Sequence, residues 1–117
     1  MPLLKKITFC FFLLTIFTFA QGTASQDSLS SYLNKVVIVK GVVTQISTPK
    51  SGVIYLNLDG KYPDNKLTAV ILKRDAENFS DVKLYEGKKV EITGKLQEYK
   101  GRLEIVLKTP EQIKLVE

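Results

Sequence analysis

From Leu33 onward, apolar and polar residues alternate in short runs, and turn-forming residues separate the runs. A period of two predicts strands with one buried face, and glycine, proline, asparagine and aspartate between the runs predict turns. This part of the chain therefore predicts a small all-β domain. The five predicted strands are Val36–Ile46, Val53–Leu58, Leu67–Leu72, Lys88–Glu98 and Arg102–Lys108.

The second predicted strand shows the alternation most clearly. Ile54, Leu56 and Leu58 fall on one face, which we expect to join the core. Tyr55 and Asn57 fall on the opposite face. We therefore expect these two side chains on the outer surface of the sheet.

Two glycines interrupt otherwise regular strands. Gly41 lies inside the first strand and Gly94 inside the fourth, where an isolated glycine indicates a bulge or a sharp bend. Between the third and fourth strands, residues 75–79 predict a short helix with Asp75 as its cap. Bent strands with a helix at this place predict a five-stranded Greek-key OB-fold barrel. Another small barrel, such as the SH3-like type, is the alternative, and the helix favours the OB plan.

The first 24 residues predict where the protein acts. Lys5 and Lys6 precede an apolar run over 7–20, and small and polar residues follow as far as Ala24. This order is typical of a secretory signal peptide, and the run is shorter than the roughly 20 residues that span a bilayer. Cleavage after Ala20 or, as we favour, after Ala24 predicts an exported protein, periplasmic or secreted, with no stable membrane insertion. An uncleaved membrane anchor is the alternative.

The rest of the chain divides into two predicted parts. Residues 25–33 predict a flexible linker because they are polar and lack apolar periodicity, and residues 34–117 form the OB-fold domain. Of the 17 basic residues, Lys5 and Lys6 lie in the leader, which leaves 15 against 12 acidic residues and a net charge of +3. This mild excess permits a polyanionic partner without requiring one.

The residues that the chain lacks exclude several kinds of chemistry. It has no histidine, and its single cysteine, Cys10, lies in the predicted leader. Thiol nucleophiles, Ser-His pairs and zinc sites of His or Cys are therefore excluded from the domain. A thermonuclease-type enzyme, also built on an OB barrel, would need carboxylates converging on a metal and arginines beside them. With two arginines, Arg74 and Arg102, and scattered acidic residues, the chain predicts no enzyme, no catalytic residue, no metal and no cofactor.

The chain resembles a family of small bacterial OB-fold domains assigned to nucleic-acid binding. That family is related to the anticodon-binding type and occurs behind signal peptides or attached to secreted nucleases. The resemblance extends over residues 34–117 and implies the OB fold and a nucleic-acid partner. The segments that carry it are Val36–Val43, Ile54–Pro63, Leu67–Ile71, Glu86–Gly94 and Tyr99–Leu107.

Candidate binding residues lie on the second strand and in the loops that flank it. Single-strand binding needs aromatic platforms for bases and basic groups for phosphates. Tyr55 is the candidate platform, and Asn57, on the same face, could hydrogen-bond to base edges. Lys61 and Tyr62 follow in the next loop, where Lys61 could contact phosphate, and the alternative for Tyr62 is that it plugs one end of the barrel.

The predicted turn between the fourth and fifth strands adds a cluster of one aromatic and three basic residues. Its members are Lys95, Tyr99, Lys100 and Arg102. Arginine can bind a phosphate with two hydrogen bonds and can also stack on a ring. The alternative is a soluble charged hairpin in which Lys95 or Arg102 pairs with a neighbouring glutamate.

Together these features predict an exported, non-catalytic module that binds single-stranded DNA or RNA, or a similar polyanion. Two alternatives stay open. One is an interaction module with a protein partner in the cell envelope, similar in size and export to periplasmic OB-fold stress proteins. The other is an oligosaccharide-binding module.

Overall fold

A computed structural model describes residues 29–116, so the predicted leader and residues 25–28 lie outside the described part. Five strands form the barrel, and a sixth, short strand follows them. Their bounds are β1 Val36–Ser47, β2 Ile54–Leu58, β3 Leu67–Ile71, β4 Lys89–Tyr99, β5 Arg102–Val106 and β6 Ile113–Leu115. Three short 3₁₀ helices span Lys73–Asn78, Val82–Tyr85 and Pro110–Gln112.

The strands close into a ring in the order β1-β2-β3-β5-β4, with β4 returning to β1. β3 and β5 run parallel, and every other neighbouring pair is antiparallel. β1 is long enough to pair with two strands. Its first half pairs with β4 and its second half with β2. The predicted five-stranded Greek-key OB barrel is confirmed.

The glycine in each long strand sits where the barrel walls approach closely. A Cβ atom on Gly94 would lie 2.5 Å from the Cγ2 atom of Ile105, so β4 crosses β5 too closely there for a side chain. A Cβ atom on Gly41 would lie 3.1 Å from both Leu58 and Asp59. Both glycines therefore allow the strand bends that the sequence predicts at these positions.

The inward faces of the strands form a single apolar core. Their alternation places every second side chain inside, as the sequence predicts. The largest fully buried side chains of the barrel are Val39, Val43, Leu56, Leu58, Leu67, Ile71, Val90, Ile92, Leu96, Ile105 and Leu107.

The connection between β3 and β4 differs in detail from the prediction. It contains two 3₁₀ helices, and the first has Leu72 as its N-terminal cap residue, without a side-chain cap. Asp75 lies within that helix, where its backbone N–H donates to the carbonyl of Leu72 at 2.9 Å. The prediction of Asp75 as the cap is therefore wrong.

The tail after β5 forms a structure that the sequence pattern did not predict. β6 pairs antiparallel with β4, with Ile113 opposite Ile92 and Leu115 opposite Val90. Gln112 ties this tail to the barrel, because its amide nitrogen donates to the carbonyl of Thr93 at 3.0 Å. The tail therefore widens the sheet on the side of β4.

Residues 29–33, the described part of the predicted linker, pack against the barrel instead of hanging free. Leu29 is completely buried, and Tyr32 and Leu33 pack on the core. The backbone N–H of Asn34 then donates to the carbonyl of Leu96 at 2.7 Å. Burial of these apolar side chains explains why this segment is ordered and corrects the prediction of a flexible linker over it.

The described residues were also searched for membrane-spanning helices and for groups of metal-binding side chains. None of their helices is long and apolar enough to cross a membrane. Over the same residues, no group of three or more aspartate, glutamate, cysteine or histidine side chains could hold a metal ion.

Candidate functional site

Strand register arranges the outward side chains of the barrel in rows. One row crosses from Ser47 on β1 through Tyr55 on β2 and Val70 on β3 to Val106 on β5. The next row is polar and crosses all five strands. Its members are Gln45, Asn57, Thr68, Glu104 and Gln97.

Tyr55 stands between two open grooves on this outer face. It is half-buried, and its side chain lines both of them. Each groove has a volume of about 320 Å³. The outward position predicted for Tyr55 is therefore confirmed, and the ring is a shared wall that a ligand could contact from either side.

The first, polar groove brings Arg102 and Tyr62 together. The guanidinium carbon of Arg102 lies 4.7 Å from the centroid of the Tyr62 ring, a cation–π distance. Tyr62 is 58% exposed, so it does not plug the barrel end and that alternative is wrong. The side chains that line this polar groove are Gln45, Ser47, Tyr55, Asn57, Tyr62 and Arg102.

A hydrogen-bond network under the polar groove holds its floor in place. The Asn57 amide nitrogen donates to Gln45 Oε1 at 2.7 Å, and the same oxygen accepts from the backbone N–H of Tyr62 at 3.0 Å. Asn57 Oδ1 accepts from Thr68 Oγ1 at 2.9 Å and from Asn65 Nδ2 at 3.4 Å. Asn57 is only 3% exposed, so its first role is to connect the strand to the loop that carries Tyr62. Hydrogen bonding from Asn57 to base edges stays a prediction.

The second, apolar groove lies on the other side of Tyr55. Tyr99, at the end of β4, and Glu104, on β5, both line it. Its remaining lining is aliphatic and comes from Val53, Val70, Leu72 and Val106. An apolar floor between two tyrosines suits a flat aromatic group, because such a group buries both faces there.

A tight hairpin joins the ends of β4 and β5. Tyr99 pairs with Arg102, and the two residues between them, Lys100 and Gly101, have positive φ angles of 50° and 80°. Two consecutive positive φ angles are typical of the type I′ turn that matches strand twist. The Lys100 ammonium lies 5.3 Å from the Tyr99 ring centroid, so this part of the predicted aromatic and basic cluster is present.

Lys95 and Lys61 lie apart from the grooves. Lys95 is exposed on β4 opposite Val36 of β1, four residues before Tyr99, and it lines neither groove. Four strand residues span roughly 13 Å, which separates Lys95 from the hairpin tip. Lys61 is exposed in the loop before Tyr62 and also lines neither groove.

The ion pairs of the described residues leave the hairpin cations open. Within 29–116 they join Lys66 to Asp59 at 3.0 Å and Arg74 to Asp75 at 3.8 Å. Neither Lys95 nor Arg102 therefore forms the glutamate pair of the charged-hairpin alternative.

Glu104 is a groove residue that the sequence analysis did not single out. It is 8% exposed on the outer face of β5, two residues after Arg102. Burial raises the pKa of its carboxyl group, and the nearby Arg102 charge opposes that rise. Glu104 and Arg102 are two residues apart, so the alternation along β5 places them on the same face. This was the sequence signal that could have identified Glu104.

Comparisons with known proteins agree with this architecture. A sequence profile described as an OB-fold nucleic acid binding domain matches residues 20–111. Among curated proteins, none matches the chain.

Solved structures share the fold over most of the chain. The asparaginyl-tRNA synthetase of Entamoeba histolytica is 25% identical with a TM-score of 0.50, over 71% of this chain and 21% of the synthetase. The Stn1-Ten1 complex of S. pombe is 17% identical with a TM-score of 0.53, over 70% of this chain and 58% of that one. OBody AM1L10 bound to hen egg-white lysozyme is 16% identical with a TM-score of 0.53, over 81% and 93% of the two chains. The chain thus spans about a fifth of the synthetase, and the last two likenesses concern the fold alone.

Proposed function

Because the chain belongs to the family of OB-fold nucleic acid binding domains, we propose that it binds single-stranded nucleic acid across the two grooves and catalyses no reaction on it. The observation that carries this proposal is the position of Tyr55. Its ring separates a polar groove containing Arg102 from an apolar groove that ends at Tyr99. Aromatic platforms with a cation beside them are the elements by which proteins hold single strands.

Each groove has a distinct task in this proposal. The apolar groove holds a base between Tyr55 and Tyr99, where stacking contributes on the order of 1–3 kcal/mol. In the polar groove, Arg102 binds the adjoining phosphate, since a guanidinium can donate two parallel hydrogen bonds to it. The Tyr62 ring lies under this guanidinium and restricts its orientation. Stacking and phosphate contact act on DNA and RNA alike.

The salt dependence of binding tests the proposal. Fluorescence anisotropy with a labelled thymidine 12-mer should show affinity falling steeply between 50 and 200 mM salt, because each phosphate contact adds about −0.7 to the logarithmic slope. Arg102→Ala should weaken binding and reduce the slope by roughly that amount. Arg74→Ala is the matched control, because this exposed arginine lies on a 3₁₀ helix and lines neither groove.

The same measurement separates the proposal from its alternative. The OB domain in complex with lysozyme shows that this fold can carry a protein ligand, and an envelope protein would be such a ligand here. Absence of binding to the 12-mer even at 50 mM salt would overturn the nucleic-acid proposal and favour that alternative. Equal effects of Arg102→Ala and Arg74→Ala would place the strand somewhere other than the polar groove.

We also propose that the protein acts outside the cytoplasm, on the basis of the leader pattern over residues 1–24. Expressed in a bacterium as the full chain, it should appear in the exported fraction with a mass that corresponds to cleavage near Ala24. Replacing the leader lysines and apolar run with polar residues should keep the uncleaved chain inside the cell. Recovery of the uncleaved wild-type chain from the cytoplasm would contradict export.

A further inference from the structure

The side chain of Glu104 lines the apolar groove. The residue is 8% exposed and lines the groove together with Tyr55 and Tyr99. Within residues 29–116 it makes no side-chain hydrogen bond and no ion pair, although Thr68 and Gln97 flank it on the neighbouring strands. Its carboxylate oxygens are not fully enclosed, so part of their surface stays accessible.

Burial in this position disfavours the ionised form of the Glu104 carboxyl group, because it removes part of the water around the charge. Removing an ionised group from water without a compensating hydrogen bond is costly. The raised pKa of Glu104 reflects that burial, and the neighbouring Arg102 relieves it only in part. A hydrogen-bond donor on a ligand in the groove would complete the site.

The chemistry of the bases decides which ligand fits. A base that stacks beside Tyr55 or Tyr99 turns its edge toward the groove floor, and single-stranded bases are free to present their Watson–Crick edge. Guanine carries two adjacent N–H donors on that edge, which match the two oxygens of a carboxylate. Thymine and uracil carry one donor between two carbonyl oxygens, and these oxygens would face the negative charge.

We propose that Glu104 makes the apolar groove a guanine-selective subsite, in which its carboxylate accepts hydrogen bonds from N1–H and N2–H of a stacked guanine. This inference rests on the proposed function, because it assigns one base to the same surface. Stacking alone carries little sequence preference. The preference is therefore confined to the nucleotide that enters this groove.

Oligonucleotides that differ by one base test the inference. We compare an octamer of thymidines with octamers that carry a single central guanosine or inosine, by anisotropy. The guanosine octamer should bind roughly tenfold more tightly than the thymidine octamer, the lower part of the range for a two-hydrogen-bond base contact. Inosine lacks the N2 amino group and should lose most of that gain.

Substitutions of Glu104 test whether its carboxylate causes the guanosine preference. Glu104→Gln should abolish the guanosine preference and leave thymidine binding equal or stronger, because it removes a negative charge near the phosphates. Glu104→Asp keeps the charge but withdraws the carboxylate, and it should also lose the preference. Glu98→Gln is the matched control with the same charge change at an exposed residue of β4, and it should retain the preference.

The pH dependence supplies a readout that a purely structural role of Glu104 would not change. The guanosine preference should disappear as pH falls through the raised pKa of Glu104, because the protonated carboxyl offers one acceptor fewer. Five other ionisable side chains surround the two grooves. These are Tyr55, Tyr62, Tyr99, Lys100 and Arg102.

Three outcomes would count against one or the other proposal. Equal affinity of the folded wild-type protein for guanosine and thymidine octamers would overturn the guanine subsite and leave the proposed function standing. Failure to bind any octamer would overturn the proposed function itself. A guanosine preference that survives in both Glu104 variants would also overturn the subsite.

Discussion

Tyr55→Ala is expected to weaken single-strand binding by about 5- to 150-fold. The substitution removes the ring that forms the shared wall of both grooves, and loss of one stacking platform costs about 1–3 kcal/mol. Anisotropy titration with the thymidine 12-mer at 50 mM salt measures the change. Because Tyr55 lies on the outer face and is only half-buried, the barrel should tolerate its removal.

Tyr55→Phe is the matched control for this prediction. Within residues 29–116 the Tyr55 hydroxyl makes no hydrogen bond, so phenylalanine keeps the stacking surface without breaking a contact in the barrel. It should bind within about twofold of the wild type. Unchanged affinity in Tyr55→Ala, with a normal thermal transition, would remove Tyr55 from the binding surface.

Leu29→Ala is expected to lower the free energy of unfolding by about 2–5 kcal/mol. Leu29 is completely buried in the core, and a Leu→Ala change at such a position loses transfer free energy and leaves a cavity. Urea denaturation followed by circular dichroism measures the loss. The result bears on where the domain begins, since Leu29 lies in the segment for which the sequence predicts a linker.

Leu84→Ala provides the same chemical change at a position that is 62% exposed. It should alter the free energy of unfolding by no more than about 0.5 kcal/mol. If the two leucines gave equal losses, Leu29 would not belong to the folded core. In that case the domain would begin nearer β1, as the sequence predicts.

The alternation along each strand carried enough information to predict the barrel. It separates inward Leu56 from outward Tyr55, and this separation places the candidate platform on the correct face. The glycines of β1 and β4 were informative because a side chain at either position would force its neighbours to shift. These signals are local, and a strand of five or more residues displays them.

The alternation of apolar and polar residues did not identify the short segments. β6 has three residues, too few for an alternating pattern to stand out from the tail around it. Leu29 follows a polar stretch, and its burial depends on core residues that come later in the chain. Both segments take their structure from the core that they cover and not from their own periodicity.

The site was predicted in part, for a related reason. Alternation locates Tyr55, but the contact between Tyr62 and Arg102 joins a loop to a distant strand, and sequence spacing does not encode it. Lys95 was grouped with the hairpin because of its nearness in sequence, although β-strand geometry carries it away along β4. Glu104 resembles an ordinary solvated charge in the sequence, and only the neighbouring strands bury it.

The pairing of β4 has a mechanical consequence. The chain joins the barrel beside Lys95, where β1 begins, and β6 ends beside Val90 near the opposite end of the same strand. Tension between the two ends of the described chain would draw β1 and β6 in opposite directions along β4. Their hydrogen bonds would then share the load in shear instead of opening one after another, so stretching should be resisted most strongly along the axis of β4.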